Sequence, residues 1–244
     1  MKNISNVMLL AVALTITSTS CKKSIEEPSE AVATVTSDAA LAQNTVDLTS
    51  GDNAMLHGLQ GYQTTNYNQF PSFQSTVWTY LGTPAPRRSL LKFDFTNLNP
   101  LITASTLVSA KLYLYQYDEL NNSGNYYSIA QVNNSSEIRR VKTAWTPSTV
   151  NWQTQPLTYP GLPTLARNAV AVPAITTPFA GNQDNPVINV TQMVKQMLAG
   201  GAPYSNNHGF EIIFPNETQF YKGRTFGSFA SPAGYKPVLR LTWQ

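Results

Sequence analysis

Cysteine is all but missing from this chain, with Cys21 alone among 244 residues, so no internal disulfide framework can form. Histidine is nearly as scarce. His57 and His208 are the only two, and no HxH, HxxxH or HExxH arrangement sets them at zinc-binding spacing. Charged residues make up only 12%, and this shortage of Lys, Glu and Arg excludes a coiled coil or long-helix protein. A net charge of +3 is too small to argue for nucleic acid as a partner. The longest N-terminal apolar run, Val7 to Ile16, has ten residues, half of the ~20 that a bilayer-spanning helix takes. There is no GxSxG elbow and no Walker loop, which leaves serine-hydrolase and nucleotide-binding readings without support.

What fills the space is uncharged polarity. Asn, Gln, Ser and Thr number 21, 14, 20 and 27, together 82 of 244 residues. Hydrophobic residues account for 42% and aromatics for 11%, with 16 Pro and 13 Gly as punctuation. Disorder requires low hydrophobicity together with high net charge, and neither holds. Thr, Tyr and Val between Pro, Gly and Asn clusters point to short strands joined by turns.

The first residues read as an address. Lys2 supplies a basic start, Val7–Ile16 an apolar h-region, and Ser18-Thr19-Ser20 lead directly into Cys21, the order of an export signal. Small residues before one early cysteine resemble a bacterial lipobox, with Ser18 at the position usually held by Leu, a relaxation associated with Bacteroidota lipoproteins. Residues 1–20 are therefore expected to be a signal peptide and Cys21 the lipid-attachment site. The other readings are a free thiol on a secreted protein and a chance cysteine. Several acyl chains would anchor the protein to a membrane essentially permanently. The expected location is the cell envelope, as an outer-membrane lipoprotein that is periplasmic or surface-exposed. Residues 21–43, rich in Ala, Ser, Glu and Thr, read as a tether. From residue 44 onward there are 13 Lys and Arg against 9 Asp and Glu, a net +4.

Alternation of period two marks half-buried strands. It is plainest in Ser89–Phe95, where Leu91, Phe93 and Phe95 oppose Lys92 and Asp94, and in Ala110–Tyr115, where Ala110, Leu112 and Leu114 oppose Lys111, Tyr113 and Tyr115. Further strands are predicted over 45–48, 76–81, 126–132, 138–141, 169–172, 187–190, 209–214, 225–229 and 238–243. Only Thr191–Leu198 reads as helix: Thr191 is placed to cap it, Met193, Val194, Met197 and Leu198 share one face, and Gly200-Gly201 stops it. These elements predict an all-β protein over residues 44–244: a single antiparallel β-sandwich of jelly-roll type with one short helix.

Four segments in order are similar to the DNRLRE, or disaggregatase-related, carbohydrate-binding family. They are Arg87–Phe95 followed by Ala110–Tyr115; Trp145-Thr146-Pro147-Ser148-Thr149-Val150-Asn151-Trp152; Ile188–Val194, with Asn189 where the family usually has Asp; and Asn207–Ile212, continued by Phe226-Gly227-Ser228 and Pro237–Thr242. The resemblance spans roughly residues 45–243. It implies a non-catalytic β-sandwich that binds polysaccharide, with acidic glycans such as alginate favoured among members that bind.

The residues themselves name candidates for such contacts. Sugar faces stack on aromatic rings, and a uronate carboxylate is matched by guanidinium or ammonium. Arg88, Lys92, Lys111, Tyr113, Tyr115 and Arg224 are the candidate carbohydrate-binding residues, on the expectation that the strands bearing Lys92 and Lys111 are neighbours. Outward Tyr and Lys are equally ordinary sheet surface, and Arg88 can equally be a structural ion-pair partner. Trp145 and Trp152 are expected in core or loop packing, and His208 on the plain surface. The loop Tyr62–Phe73, holding Tyr62, Tyr67, Phe70 and Phe73 among amides, is a second ligand surface.

Two other chemistries have partial signals. Gln219–Arg224 resembles the Tyr- and Lys-bearing strand of jelly-roll alginate lyases, but that family's Arg-Thr-Glu and Gln-Ile/Val-His strands are missing. No catalytic residue is therefore assigned. No cofactor is expected beyond a structural calcium, for which Gly51-Asp52-Asn53 and Asp118-Glu119 are the candidates, neither at EF-hand spacing. The expected partner is a polysaccharide, with uronate-containing polymers among the candidates; the alternative from another class is an envelope protein bound by a structural or adhesion component.

Overall fold

A computed structural model of the protein describes residues 42–117, 134–163, 165–174, 185–200 and 206–244. The signal sequence, Cys21 and the tether lie outside the described residues, as do Asp118-Glu119 and the strand predicted over 126–132. In chain order, the described residues form β1 (Asn44–Leu48), β2 (Gly51–His57), β3 (Ser72–Val77), β4 (Thr79–Tyr80), β5 (Thr83–Pro84), β6 (Arg87–Phe93), β7 (Leu107–Tyr113), β8 (Ser136–Arg140), β9 (Ala169–Val172), β10 (Val187–Asn189), α1 (Thr191–Leu198), β11 (Phe210–Ile213), β12 (Lys222–Gly227) and β13 (Val238–Trp243).

Two antiparallel sheets face each other. The first runs β1-β13-β7-β10. The second runs β12-β3-β6-β11-β8-β9, with β2 along the edge of β6 away from β11, since Leu91 is paired by Asn53 on one side and Phe210 on the other. Leu112, Leu114, Leu239 and Leu241 of the first sheet meet Leu91, Phe93, Phe210, Ile212 and Ile138 of the second in one buried core. This is an all-β antiparallel sandwich with one short helix among the described residues. The alternation read in Ser89–Phe95 and Ala110–Tyr115 falls on the faces expected, with Leu91, Phe93, Phe95, Ala110, Leu112 and Leu114 all in that core.

A second apolar cluster lies on the outer face of the second sheet. Ala54, Leu56 and Leu90 pack there with Val141 and Val150, and Trp145 and Trp152 lie against them. The Trp-rich segment thus covers a sheet face that would otherwise be wet. A strand covered on both faces loses its period-two signal, and β2 shows the consequence: Asn53–His57 are buried without interruption, and no strand is predicted there from the sequence. The strand predicted over 76–81 is broken after Val77 by a tight hairpin, β4–β5, whose two-residue loop is Leu81-Gly82.

The helix is where expected, but its start is built differently. Val190 occupies the cap position and makes no side-chain cap. Instead, the Asn189 side-chain oxygen accepts from the Thr191 backbone N–H at 3.1 Å and its hydroxyl at 2.6 Å. Thr191 Oγ1 also accepts the Ala110 N–H at 2.9 Å, which ties the helix to β7.

Candidate functional site

The six candidate residues do not form one surface. Residues 94–106, which bury Phe95, Leu98 and Ile102, connect β6 in one sheet to β7 in the other, so Lys92 and Lys111 belong to different sheets. This corrects the expectation that their strands are neighbours. Arg88 is a structural ion-pair partner, donating from Nε and Nη2 to both Glu217 oxygens at 2.8 Å, with Gln155 as a third acceptor at 2.8 Å. Its guanidinium stacks 4.7 Å from the Trp152 ring centroid. Lys92 is held by Asp52 at 2.6 Å and lies 5.3 Å from the Trp145 ring. Trp145 donates its Nε1–H to the His208 carbonyl at 2.8 Å, and His208 is half-buried.

On the first sheet, Lys111 is exposed and Tyr113 half-buried, the latter with the Arg240 guanidinium 5.2 Å from its ring. Arg240 is itself paired to both Asp47 oxygens at 2.7 Å. Tyr115 is half-buried, and its carbonyl accepts the Gly227 N–H at 2.9 Å. Arg224 is corrected outright as a surface contact. It is 1% exposed, and Nη1 donates to the Pro173 carbonyl at 2.7 Å. A buried guanidinium needs such acceptors to offset its lost hydration. Of the other lyase-like residues, Lys222 is also buried, while Tyr221 is half exposed.

The candidate calcium ligand Asp52 is occupied by Lys92. Among the described residues, no group of three or more His, Cys, Asp or Glu is placed to hold a metal.

The second ligand surface named from the sequence, the loop Tyr62–Phe73, lines a cavity of about 550 Å³, within the range of ordinary ligand sites. The loop contributes Tyr62, Tyr67 and Phe70, with Leu59 preceding them, whereas Phe73, named with them from the sequence, is a β3 residue buried in the core between the sheets. Met55 and His57 come from β2, Ser72, Gln74 and Thr76 from β3, and Arg87 from the start of β6. Trp78, Thr79, Tyr80 and Ala85 close the remaining side. Five aromatic rings therefore surround one guanidinium, one carboxamide and several hydroxyls, and no carboxylate or ammonium is among these lining residues.

Each wall is fixed by identifiable bonds. Asn66 donates its amide to the Pro147 and Val150 carbonyls at 2.7 and 2.6 Å, pinning the loop to the Trp-rich segment. The Met55 N–H reaches the Tyr67 carbonyl at 3.3 Å, and the Ser228 hydroxyl donates to the Phe70 carbonyl at 2.7 Å. His57 stacks on Tyr62 with centroids 5.2 Å apart and lies 5.9 Å from Tyr67. Tyr67 in turn meets Phe70 at 5.5 Å. Arg87 donates from Nη1 to Gln74 Oε1, which orients the carboxamide with its donors away from that bond.

His57 is buried, and burial, followed by repulsion from Arg87, lowers its pKa to about 4. The ring is neutral at pH 7, and Nδ1 accepts the Leu59 N–H at 3.2 Å, so Nε2 carries the proton and can only donate. Sequence reading reached the loop aromatics but missed His57, Gln74, Trp78, Tyr80 and Arg87 as its companions. Arg87 was legible only as the neighbour of Arg88. The parity that turns Arg88 to the outer face turns Arg87 to the other.

Neither a protein-family model nor a curated protein sequence matches the chain.

Proposed function

We propose that this protein is a non-catalytic polysaccharide-binding protein whose ligand site is the aromatic cleft between β2, β3 and the loop 58–71. One observation carries the reading: Tyr62, Tyr67, Phe70, Trp78 and Tyr80 line a single cavity together with Gln74 and Arg87. Pyranose faces present C–H groups that pack on aromatic rings, while their equatorial hydroxyls need planar polar partners. Gln74 and Arg87 provide those. Arg87 also brings a positive charge that suits a uronate carboxylate, and the lining holds no carboxylate to repel one. An acidic glycan therefore remains the favoured ligand, through one guanidinium rather than a strip of cations. The order of signal, small residues and Cys21 supports delivery to the cell envelope on a lipid anchor, and the four DNRLRE-like segments support the same ligand class.

A glycan-affinity gel tests the reading. Alginate in the gel should retard the protein, and Arg87→Gln should weaken that retardation about tenfold, the scale of one charge-assisted contact. No retardation by alginate or by a neutral β-glucan would contradict the proposal. Loss of a fatty-acid label in Cys21→Ser tests the anchor. The rival reading, an envelope protein as partner, is favoured by Leu81 beside the cleft, 89% exposed, because an aliphatic tip offers a sugar no ring. Retention on a protein partner with no glycan binding would support it.

A further inference from the structure

The rim of the cleft contains a ring that the cleft itself does not use. Tyr221 is 50% exposed and does not line the cavity, yet its ring stands edge-on to Trp78, with centroids 5.1 Å apart and planes at 86°. Trp78 does line the cavity, so the aromatic surface runs without a break from the interior to the outside. Tyr221 is also held in an unfavourable backbone conformation, with φ at +68°. A bulky side chain there is a steric outlier that persists only when its surroundings enforce it. The enforcement is visible: the Tyr221 N–H donates to the Val77 carbonyl at 2.7 Å, immediately before Trp78, and Lys222 onward is locked into pairing with β3. A glycine at this position would relieve the conformation at no steric cost.

We propose that the binding surface continues out of the cleft over Trp78 onto Tyr221, and that its ligand is a chain segment longer than the cleft holds. This rests on the cleft being a glycan site. Tyr221 would supply an outer platform for a further sugar, and the backbone strain is the cost of presenting a tyrosine ring where a glycine fits best.

Titration of oligomannuronates of two to eight units into the full-length protein tests this. Wild type should gain affinity with length. Tyr221→Gly should lose that gain, about fivefold to tenfold for the octamer and less than twofold for the dimer, while its Tm stays at or above that of wild type. Tyr221→Trp, which keeps a ring, should retain the gain. Tyr221→Asn, whose side chain tolerates positive φ, serves if the glycine variant folds poorly, and should behave like it. If Tyr67→Ala abolishes binding but Tyr221→Gly binds every length as wild type does, the outer platform is wrong and the cleft stands. Equal losses for dimer and octamer in Tyr221→Gly also overturn the platform. If wild type binds no length, or Tyr67→Ala binds like wild type, the cleft reading falls and takes the platform with it.

Discussion

Glu211 and His57 are titratable groups that the fold pushes in opposite directions. Glu211 points to the outer face of the second sheet, 2% exposed, beside Arg88 at 3.8 Å. Burial raises its pKa to about 7; attraction to Arg88 and Arg139 offsets this only partly, and repulsion from Glu217 adds to it. Arg88 is committed to Glu217 through two bonds, which leaves Glu211 the poorer share of the guanidinium. A carboxyl whose folded pKa lies above its unfolded value binds more protons when folded, so its contribution is present below the ordinary value near 4.5 and is lost as pH rises to about 7. His57 acts with the other sign: its contribution is present above about 6.5 and lost as pH falls toward 4. The two oppose each other between 4.5 and 6.5, so the isolating measurement is a difference. Urea unfolding of wild type and Glu211→Gln should show wild type losing stability relative to the variant from pH 5 through 7, with only a small further loss by pH 8. A difference that is flat across this range would show that Glu211 is not held protonated.

Among the elements, the β4–β5 hairpin carries the second of the two positive-φ residues other than glycine among those described. Leu81 has φ +49° and Gly82 φ +80°. With both central residues positive, this is a type I′ turn, for which Asn-Gly is the favoured pair. Leucine there combines left-handed strain with an exposed aliphatic side chain. Leu81→Asn should stabilise the protein by ~1 kcal/mol, seen as a Tm rise of ~2–4 °C for a domain of this size; a fall in Tm would show that Leu81 packs on something in the folded protein. The same hairpin explains part of what the sequence conceals. β7 is legible because one face is wet and its alternation survives, whereas β2 is buried without a break from Asn53 on and reads locally as nothing in particular, and β12, buried throughout, is legible only from Thr225. Sheet membership is equally hidden. Nothing local to Lys92 or Lys111 says that residues 94–106 cross between sheets, and that crossing alone separates the two lysines. Tyr62, Tyr67 and Phe70 could be picked out because their rings sit among amides, where no core pattern accounts for them, whereas Phe73 of the same run belongs to the core. The cleft companions Trp78 and Arg87 could not, because their faces depend on a hairpin and a strand parity that only the fold reveals.

Over the whole domain, the net +4 from residue 44 is distributed so that little of it acts as a patch. Arg88 is matched by Glu217, Lys92 by Asp52, Arg139 by Glu137 and Arg240 by Asp47, and Arg224 is buried against carbonyls. Three of these pairs hold strands or a covering segment together, and Arg139–Glu137 lies within β8, so none of the four waits for a ligand. The binding surface is instead apolar and ringed, braced by Asn66 against the Trp-rich segment and by Ser228 against the loop. Salt should therefore weaken glycan binding only as far as the single Arg87 contact is screened. The most direct test is calorimetric titration of oligomannuronate into wild type, Trp78→Ala and Lys111→Ala. The cleft account predicts that Trp78→Ala loses at least tenfold in affinity while Lys111→Ala, on the first sheet's outer face, binds as wild type does. Unchanged binding by Trp78→Ala together with loss in Lys111→Ala would contradict it and return the ligand site to the sheet face.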